Sequence, residues 1–530
     1  MITYATVGIT RIQSYLGRSR DLWGRRGASE NLMRATDLTE NSDYLVHQAL
    51  SESNVKNSNV KINDDGLDID GVVSLQGNDH DETLRVARKL ANLIREENPG
   101  VFLTVSWTQP QPEDVKYAQL LSEKAEWKQQ WHHEYYFPVA SEFPFLRPCD
   151  ECGVDPAASY DEVRGLRLCA DCNRRVPDDS RTQSMKSTGL PKKFAVEWEF
   201  LNRVLHEEKL GYLTPKHFRA RDFESLGKLG RPAVDDPHRG RTADGNHIAL
   251  IFADGNGVGG LFKKLQAEAE DLGSTQKMRK VSEKMKESTF NALVSATQRV
   301  VTPKESCPVV PHIVGGDDIL ISVAANKAWE FLLTFMQDIR APFEELSGEH
   351  GVDLSFSAGM VICQSSFPFG NQVEIAETLM KQAKKAVRGK DWSFAWLDMT
   401  VDGYETKSHG VWLLKDTAGA DPNTEFVEAL RIARTELTAH GESQLRLVLG
   451  QSDNLGANLD HLAKRQKPIV NLLKACGVPH PQSIDSTQAK QILDVLGIGR
   501  WWRLSSETSA MVSIEPVDSF VTVDTQGVTQ

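Results

Sequence analysis

Apolar positions along this chain alternate between two rhythms: short runs that predict strands, and three-to-four-residue spacings that predict helices. The opening segment reads as a strand (Tyr4 to Gly8), an arginine-rich helix (Arg11 to Thr36) and two strands around Val60 and from Val72 to Leu75. A helix (Asp81 to Glu97) and a strand (Val101 to Trp107) follow. The order is β-α-β-β-α-β, the ferredoxin-like arrangement. From His247 the order restarts with a strand (Ile248 to Ala253), a glycine-rich turn, a helix (Gln276 to Val300) and a hairpin (His312 to Val323). A helix (Lys327 to Glu345), a strand (Leu354 to Ile362), a helix (Val373 to Val387) and a strand near Phe394 to Leu397 complete it. From 401 onward Phe426, Leu430, Ile432, Leu437, Ile469, Leu472 and Leu473 recur at helical spacing, and Glu507 to Gln530 reads as a strand or a loose tail.

This pattern predicts an α+β protein made of two ferredoxin-like domains, at 1–145 and 246–400. Between them lie a cysteine-bearing insertion at 146–178 and a Pro-, Gly- and charge-rich connecting segment at 179–245, and a helical domain at 401–530 closes the chain. A length of 530 residues exceeds what one core usually serves. Repetition of one architecture points to duplication.

Chemistry concentrates in the second domain. The run Ile248 to Ala253 ends at Asp254, and glycines take four of the next six positions. Glycines there let backbone N–H groups approach a ligand, so the 255–260 loop, with Gly255, Asn256, Gly257, Val258 and Gly259, is the expected triphosphate cradle. Two apolar strands then meet at Gly315-Gly316-Asp317-Asp318, a hairpin with acids at its tip. First and third strands of this fold are neighbours, so Asp254, Asp317 and Asp318 are expected to converge. Three clustered carboxylates repel one another unless hard cations neutralise them, which selects two Mg²⁺ or Mn²⁺ ions and phosphoryl transfer onto a ribose hydroxyl. Either motif alone is commonly a hairpin turn; their conjunction predicts a nucleotide-polymerising palm. Gly315 and Gly316 would admit substrate closely. On the helix near 376–388, Lys381, Lys384 and Arg388 share a face that is either solvated or phosphate-binding, with Lys384 the best placed for phosphate.

Cys149-x-x-Cys152 and Cys169-x-x-Cys172 carry a spacing suited to one structural, tetrahedral Zn²⁺, with redox thiols as the alternative. The other three cysteines are scattered, which argues against a disulfide framework and for a reducing compartment. The first helix, with Arg11, Arg18, Arg20, Arg25, Arg26 and Arg34, offers a face for RNA phosphates or an acidic partner, or is simply solvated; Trp23 beside it reads as a packing anchor. A net charge of -12 disfavours general nucleic-acid coating but not a local groove. No apolar run approaches the roughly 20 residues of a membrane helix, and the N-terminus lacks a secretory pattern, so a cytoplasmic protein with no membrane contact is expected.

Gly315-Gly316-Asp317-Asp318, together with Gly8 to Trp23 (including Arg20-Asp21-Leu22-Trp23), resembles the large subunit of type III CRISPR effector complexes, of the Cmr type. The resemblance extends over the zinc insertion, second palm and helical tail. It implies that ATP is polymerised into cyclic oligoadenylate in response to target RNA, within a ribonucleoprotein of sister subunits, guide RNA and target RNA. It also implies a degenerate first palm: Asp64, Asp65, Asp68 and Asp70 lie near the equivalent hairpin, but no strand-terminal Asp followed by glycines accompanies them. Many members begin with an HD-type nuclease domain, whereas here the first palm begins at residue 1. The lone His80-Asp81 pair reads as surface, so no DNase activity is expected. A non-catalytic scaffold subunit and a diguanylate-type dinucleotide cyclase are the alternatives, although the latter usually has Glu-Phe after its acids where Asp318-Ile319 stands here.

Overall fold

A computed structural model describes residues 1–38, 45–51, 59–67, 71–121, 127–131, 146–175, 196–207, 215–229, 246–302, 305–402, 409–415, 424–450, 454–503 and 513–517. Asp68, Asp70 and most of the expected C-terminal tail lie outside these residues. The first sheet comprises β1 (Thr3–Thr10), β2 (Lys61–Ile62), β3 (Val72–Gly77), β4 (Phe102–Thr108) and β5 (Trp127–Trp131), in spatial order β2-β3-β1-β4-β5. Every neighbouring pair is antiparallel, as the ferredoxin-like reading requires. The expected arginine-rich helix is two helices, α1 (Ile12–Gly17) and α2 (Leu22–Thr36). The break falls before Asp21, whose carboxylate caps α2 by accepting from the Gly24 N–H at 2.6 Å. Helix α3 (His80–Glu97) packs on this sheet through Val86, Leu90 and Ile94.

The second sheet has seven strands: β8 (His247–Asn256), β9 (Val309–Val314), β10 (Asp318–Ala324), β11 (Ser355–Gln364), β12 (Ser393–Asp398), β13 (Val411–Lys415) and β14 (Ser513–Pro516). The order is β14-β13-β12-β11-β8-β10-β9. Its β9-β10-β8-β11 half repeats the first sheet's order, and β12 adds in parallel beside β11. Strand β8 is buried almost throughout because helices cover both faces. Ala249, Ile251 and Ala253 face a core shared with α7 (Gln276–Val300) and α8 (Ala328–His350), while Ile248, Leu250 and Phe252 face α9 (Phe369–Ala386). Between β8 and α7 lies α6 (Val258–Leu272), where the sequence reading expected only a turn.

Helix α9 meets β11 through Gly359, where an added Cβ would overlap the Ala376 carbonyl and the Met380 amide. Gly359→Ala is therefore expected to push α9 off the sheet and destabilise the fold by about 1–3 kcal/mol, read as a lowered urea midpoint at unchanged slope.

Two segments differ from the expected boundaries. Within the supposed connecting segment, α5 (Val196–Glu207) buries Phe200, Leu201, Val204 and Leu205 in the large core, and Arg26 of α2 is ion-paired to its Glu197. The C-terminal helices α10 (Thr424–Thr435), α11 (Ala439–Leu449), α12 (Leu455–Ala463), α13 (Lys467–Ala475) and α14 (Ser486–Trp501) share that same core, and β13 and β14 extend the palm sheet. Trp501 Nε1 donates to Asp398 Oδ2 at 2.7 Å, tying α14 to the end of β12. Short apolar pieces between polar residues hide such packing, because burial comes from distant partners. Among the described residues, no helix is long and apolar enough to cross a membrane.

Candidate active site and metal centre

Register places Asp318 directly opposite Asp254 across the β8–β10 pair, and Ser357 opposite Asp254 on the other side. Alternation along β8 puts Asp254 on the α9 face with Phe252, where Lys384 of α9 reaches it. The Lys384 ammonium contacts Asp254 Oδ2 and donates to the Gly255 carbonyl at 3.1 Å. Lys381 instead pairs with Glu377 one turn back, and Arg388 stands past the end of the helix at φ 54°.

Close backbone approach aligns the acidic strand ends. Gly255 N–H donates to the Asp317 carbonyl at 2.7 Å, Gly315 N–H to the Asp318 carbonyl at 2.7 Å, and Thr289 Oγ1 of α7 to the Gly316 carbonyl at 2.6 Å. A Cβ at Gly315 would overlap the Asp318 carboxylate, so any larger residue there would make that carboxylate swing aside. Gly257 has φ 79° and abuts the Asp353 carbonyl, which lets β8 turn straight into α6.

The 255–260 segment is accordingly not a loop: it is the end of β8 and the first turn of α6. Asn256 is fully buried, and its amide donates to Ser355 Oγ at 2.9 Å and Ser357 Oγ at 3.0 Å. It braces the sheet and is not presented to a ligand, contrary to the sequence expectation. Val258 and Gly259 do line a cleft of about 790 Å³ with Gly315, Gly316, Asp317 and Asp318. Gly259 and Gly260 have open space where a Cβ would sit, leaving the α6 N-terminus uncovered. Phe262, Met278, Met285, Arg279, Ser282 and Lys286 form one wall, and Arg11 to Ser14 of the first domain form another. Sequence reading offered Arg11 as a phosphate or partner contact and gave the α6 and α7 wall residues no role. The only signal of Phe262, Met278 and Met285 was apolar helix periodicity, which any core helix shares.

Burial, then Asp318 and Asp254, push the Asp317 carboxyl up to about 6. A carboxyl raised on folding contributes stability that is present below its unfolded value and lost as pH climbs through about 6. Above that pH the metal-free site carries a charge penalty, from burial first and repulsion second, on the order of 1–3 kcal/mol. Asp317→Asn is therefore expected to raise the melting temperature of the metal-free chain at pH 7.5, with the gain fading below about pH 5; a gain equal at both pH values would refute the charge penalty.

The four predicted cysteines converge. Their sulfurs all lie within 4.8 Å of one another, with Cys152 and Cys169 3.9 Å apart, near the edge of about 3.8 Å expected for a tetrahedral Zn²⁺ thiolate set. Hydrogen bonds from Cys152, Cys169 and Cys172 hold the Cys149 thiol well below its ordinary range, and the bond to Cys149 pushes Cys172 up. Such a cluster sheds all its protons only with a cation, so the donor set fits zinc. The group hangs on a small hairpin, β6 (Ser159–Asp161) and β7 (Leu166–Leu168), and on α4 (Ala170–Arg175). This module is fastened to the first domain: Arg18 pairs with Asp155, Tyr15 Oη donates to Asp171 Oδ1 at 3.0 Å, and Arg175 Nη1 donates to Ser19 Oγ at 2.9 Å. Arg25 is buried, donating to the Ser19 carbonyl and lying over Phe369, and Arg26 pairs with Glu197. Arg18, Arg25 and Arg26 are thus internal struts, a correction to the expected basic face, of which Arg11 and Arg20 are exposed. His80 opens α3, with Nδ1 3.1 Å from Thr3 Oγ1.

A ferredoxin-like sheet with a strand-end Asp paired to a Gly-Gly-Asp-Asp hairpin defines the palm class of domain. Residues 247–393 match the family model described as Cas10/Cmr2, second palm domain. Residues 247–393 are thus similar to the second palm domain of Cas10/Cmr2, in agreement with the resemblance noted in the chain's motifs. No curated protein sequence matches it. Among solved structures it is similar to Csm1 in T.onnurineus, at 13% identity over 94% of this chain and 69% of that one, TM-score 0.44. It is also similar to the Csm1-Csm4 cassette in complex with AMPPNP (13% identity, 94% and 69%, TM-score 0.43). For the cassette with cA4 the values are 12% identity, 93% and 70%, and TM-score 0.41.

Proposed function

We propose that this chain is the nucleotide-polymerising subunit of a type III CRISPR effector complex, joining ATP into cyclic oligoadenylate when target RNA is bound. The observation that carries this reading is the register pairing of Asp254 with Asp318, with Asp317 at the adjoining turn and both hairpin acids lining the cleft. Three acids with a raised Asp317 fit a pair of Mg²⁺ or Mn²⁺ ions held by Asp254, Asp317 and Asp318. When bound, such ions make the ribose hydroxyl a better nucleophile and stabilise the leaving pyrophosphate.

The chain's own groups have complementary tasks. Lys384 supplies a cation beside Asp254 for phosphate oxygens. The bare first turn of α6 at Gly259 and Gly260 presents N–H groups and a positive dipole end to a triphosphate. Gly315 and Gly316 leave room for substrate beside the acids, and Phe262, Met278 and Met285 offer an apolar wall to a nucleobase. Adenine as the base, ring closure, guide and target RNA, and sister subunits are carried over from the family. The four-thiolate zinc, with no open coordination position, has a structural role.

The test is to incubate the assembled complex with ATP, Mg²⁺ or Mn²⁺ and matched target RNA, and to separate products by mass. Cyclic oligoadenylate supports the proposal. Absence of any oligonucleotide under all these conditions establishes a scaffold, and a guanine dinucleotide as sole product keeps the palm but removes the family assignment.

A further inference from the structure

Two fully buried threonines of helix α7 use their hydroxyls differently. Thr297 Oγ1 donates at 2.8 Å to the Leu293 carbonyl four residues back, the usual local partner of a hydroxyl inside a helix. Thr289 Oγ1 instead leaves its own helix and donates at 2.6 Å to the Gly316 carbonyl in the acidic hairpin. Gly316 seats on this turn of α7: a Cβ there would lie 3.5 Å from both Met285 Cβ and Lys286 Cγ, an ordinary contact distance. The Gly316 carbonyl belongs to the peptide that leads into Asp317. The next peptide, which carries the Asp317 carbonyl, is held from β8 by the Gly255 N–H at 2.7 Å. The Asp317 Cα therefore lies between two peptide planes tied to different elements, and those planes fix where its Cα–Cβ bond points. The tie to β8 is made by backbone and survives any side-chain change; the tie to α7 depends on one hydroxyl.

We infer that Thr289 is a positioning residue: its hydroxyl sets the tilt of the Gly316–Asp317 peptide and so aims the Asp317 carboxylate into the cleft at a divalent cation. The inference rests on the proposed metal role of Asp317. Gly316 lines the cleft and has no side chain to resist rotation, so without the donor its carbonyl is free to turn toward cleft water. That rotation swings the following Cα–Cβ bond, and a metal ligand must be held to within about half an ångström. Losing an outer partner that orients a ligand typically weakens metal affinity about 10–100-fold. Threonine suits the task because only χ1 separates its hydroxyl from the backbone, so the donor moves with the helix.

The experiment measures Mn²⁺ binding to the full zinc-loaded chain by loss of the free-ion EPR signal, without nucleotide and below the melting midpoint of every variant. Thr289→Val keeps volume and branching but removes the donor, whereas Thr289→Ser keeps the donor and loses only a methyl. Thr289→Val is expected to raise the Mn²⁺ dissociation constant by about tenfold or more. Thr289→Ser is expected to bind Mn²⁺ like the unaltered chain, although its melting temperature falls with the lost packing. If Thr289→Val does not fold, Thr289→Ala replaces it, since that variant and Thr289→Ser differ only in the hydroxyl. Mn²⁺ affinity weakened as much by Thr289→Ser as by the donor-free variant identifies a packing residue and overturns the inference. Unchanged affinity in the donor-free variant, with Asp317→Ala weakened, overturns the positioning role and leaves the metal role of Asp317 intact. If Asp317→Ala itself binds Mn²⁺ as tightly as the unaltered chain, the metal role of Asp317 and the positioning role fall together.

Discussion

Changing Asp317 and Asp318 together to alanine is expected to lower nucleotide polymerisation by at least about 1,000-fold, a loss of roughly 4 kcal/mol of transition-state stabilisation. Two of three converging acids disappear, and Asp254, already engaged by Lys384, cannot hold two cations alone. Folding should survive. Both side chains are only partly buried, the hairpin is aligned by the backbone bonds at Gly255 and Gly315, and removal of the charges relieves the burial cost and the repulsion that together raise Asp317. Melting temperature and complex assembly should therefore be unchanged or slightly improved. A variant that retains more than about a tenth of the unaltered rate while folding normally would place the chemistry elsewhere. Comparison with Asp317→Asn at pH 7.5 separates lost charge from lost side chain.

The second large effect concerns the cysteines. Replacing Cys149 and Cys152 by serine should release about one zinc per chain, read by metal analysis, and lower the thermal midpoint markedly, because binding energy of a structural zinc is folding energy. The module has only a few buried apolar residues of its own, chiefly Leu168 and the cysteines, so the metal is expected to supply a large share of its stability. Its loss reaches further than its size suggests. Asp171 and Arg175, on the helix that carries Cys172, bond Tyr15 and Ser19, and Glu151, beside Cys152, accepts the Arg20 and Asp21 amides. These contacts hold the turn that starts α2. An unaltered chain containing no zinc would refute the metal assignment, and a serine variant with unchanged midpoint would refute its structural role.

Local patterns were readable where neighbours in sequence decide the outcome. The strand Ile248 to Ala253, the long helix Gln276 to Val300 and the Gly-Gly-Asp-Asp hairpin announce themselves because burial on both sheet faces, helical periodicity and turn chemistry are written in adjacent residues. The same reasoning failed for α5, whose apolar residues are embedded in a charged stretch, and for α6, whose leading glycines read as a turn. It also put Arg25 and Arg26 on a surface. Nothing in the sequence of α2 reveals that Arg26 will meet Glu197 and the Ala220 carbonyl, or Arg25 the Ser19 carbonyl.

By itself, then, the sequence determined the two β-α-β-β-α-β units, the acids at strand ends and the four-thiolate spacing, since each depends on residues within a few positions of one another. Tertiary structure alone decided which partners those residues meet. Asp254 finds Lys384 because alternation along β8 and the packing of α9 put them on one face. Asn256 is spent on Ser355 and Ser357 inside the sheet, and Gln13 arrives at Asp318 from the far domain. Contacts of that separation arise from how sheets and helices stack, and stacking is set by the sum of many apolar contacts, not by any motif.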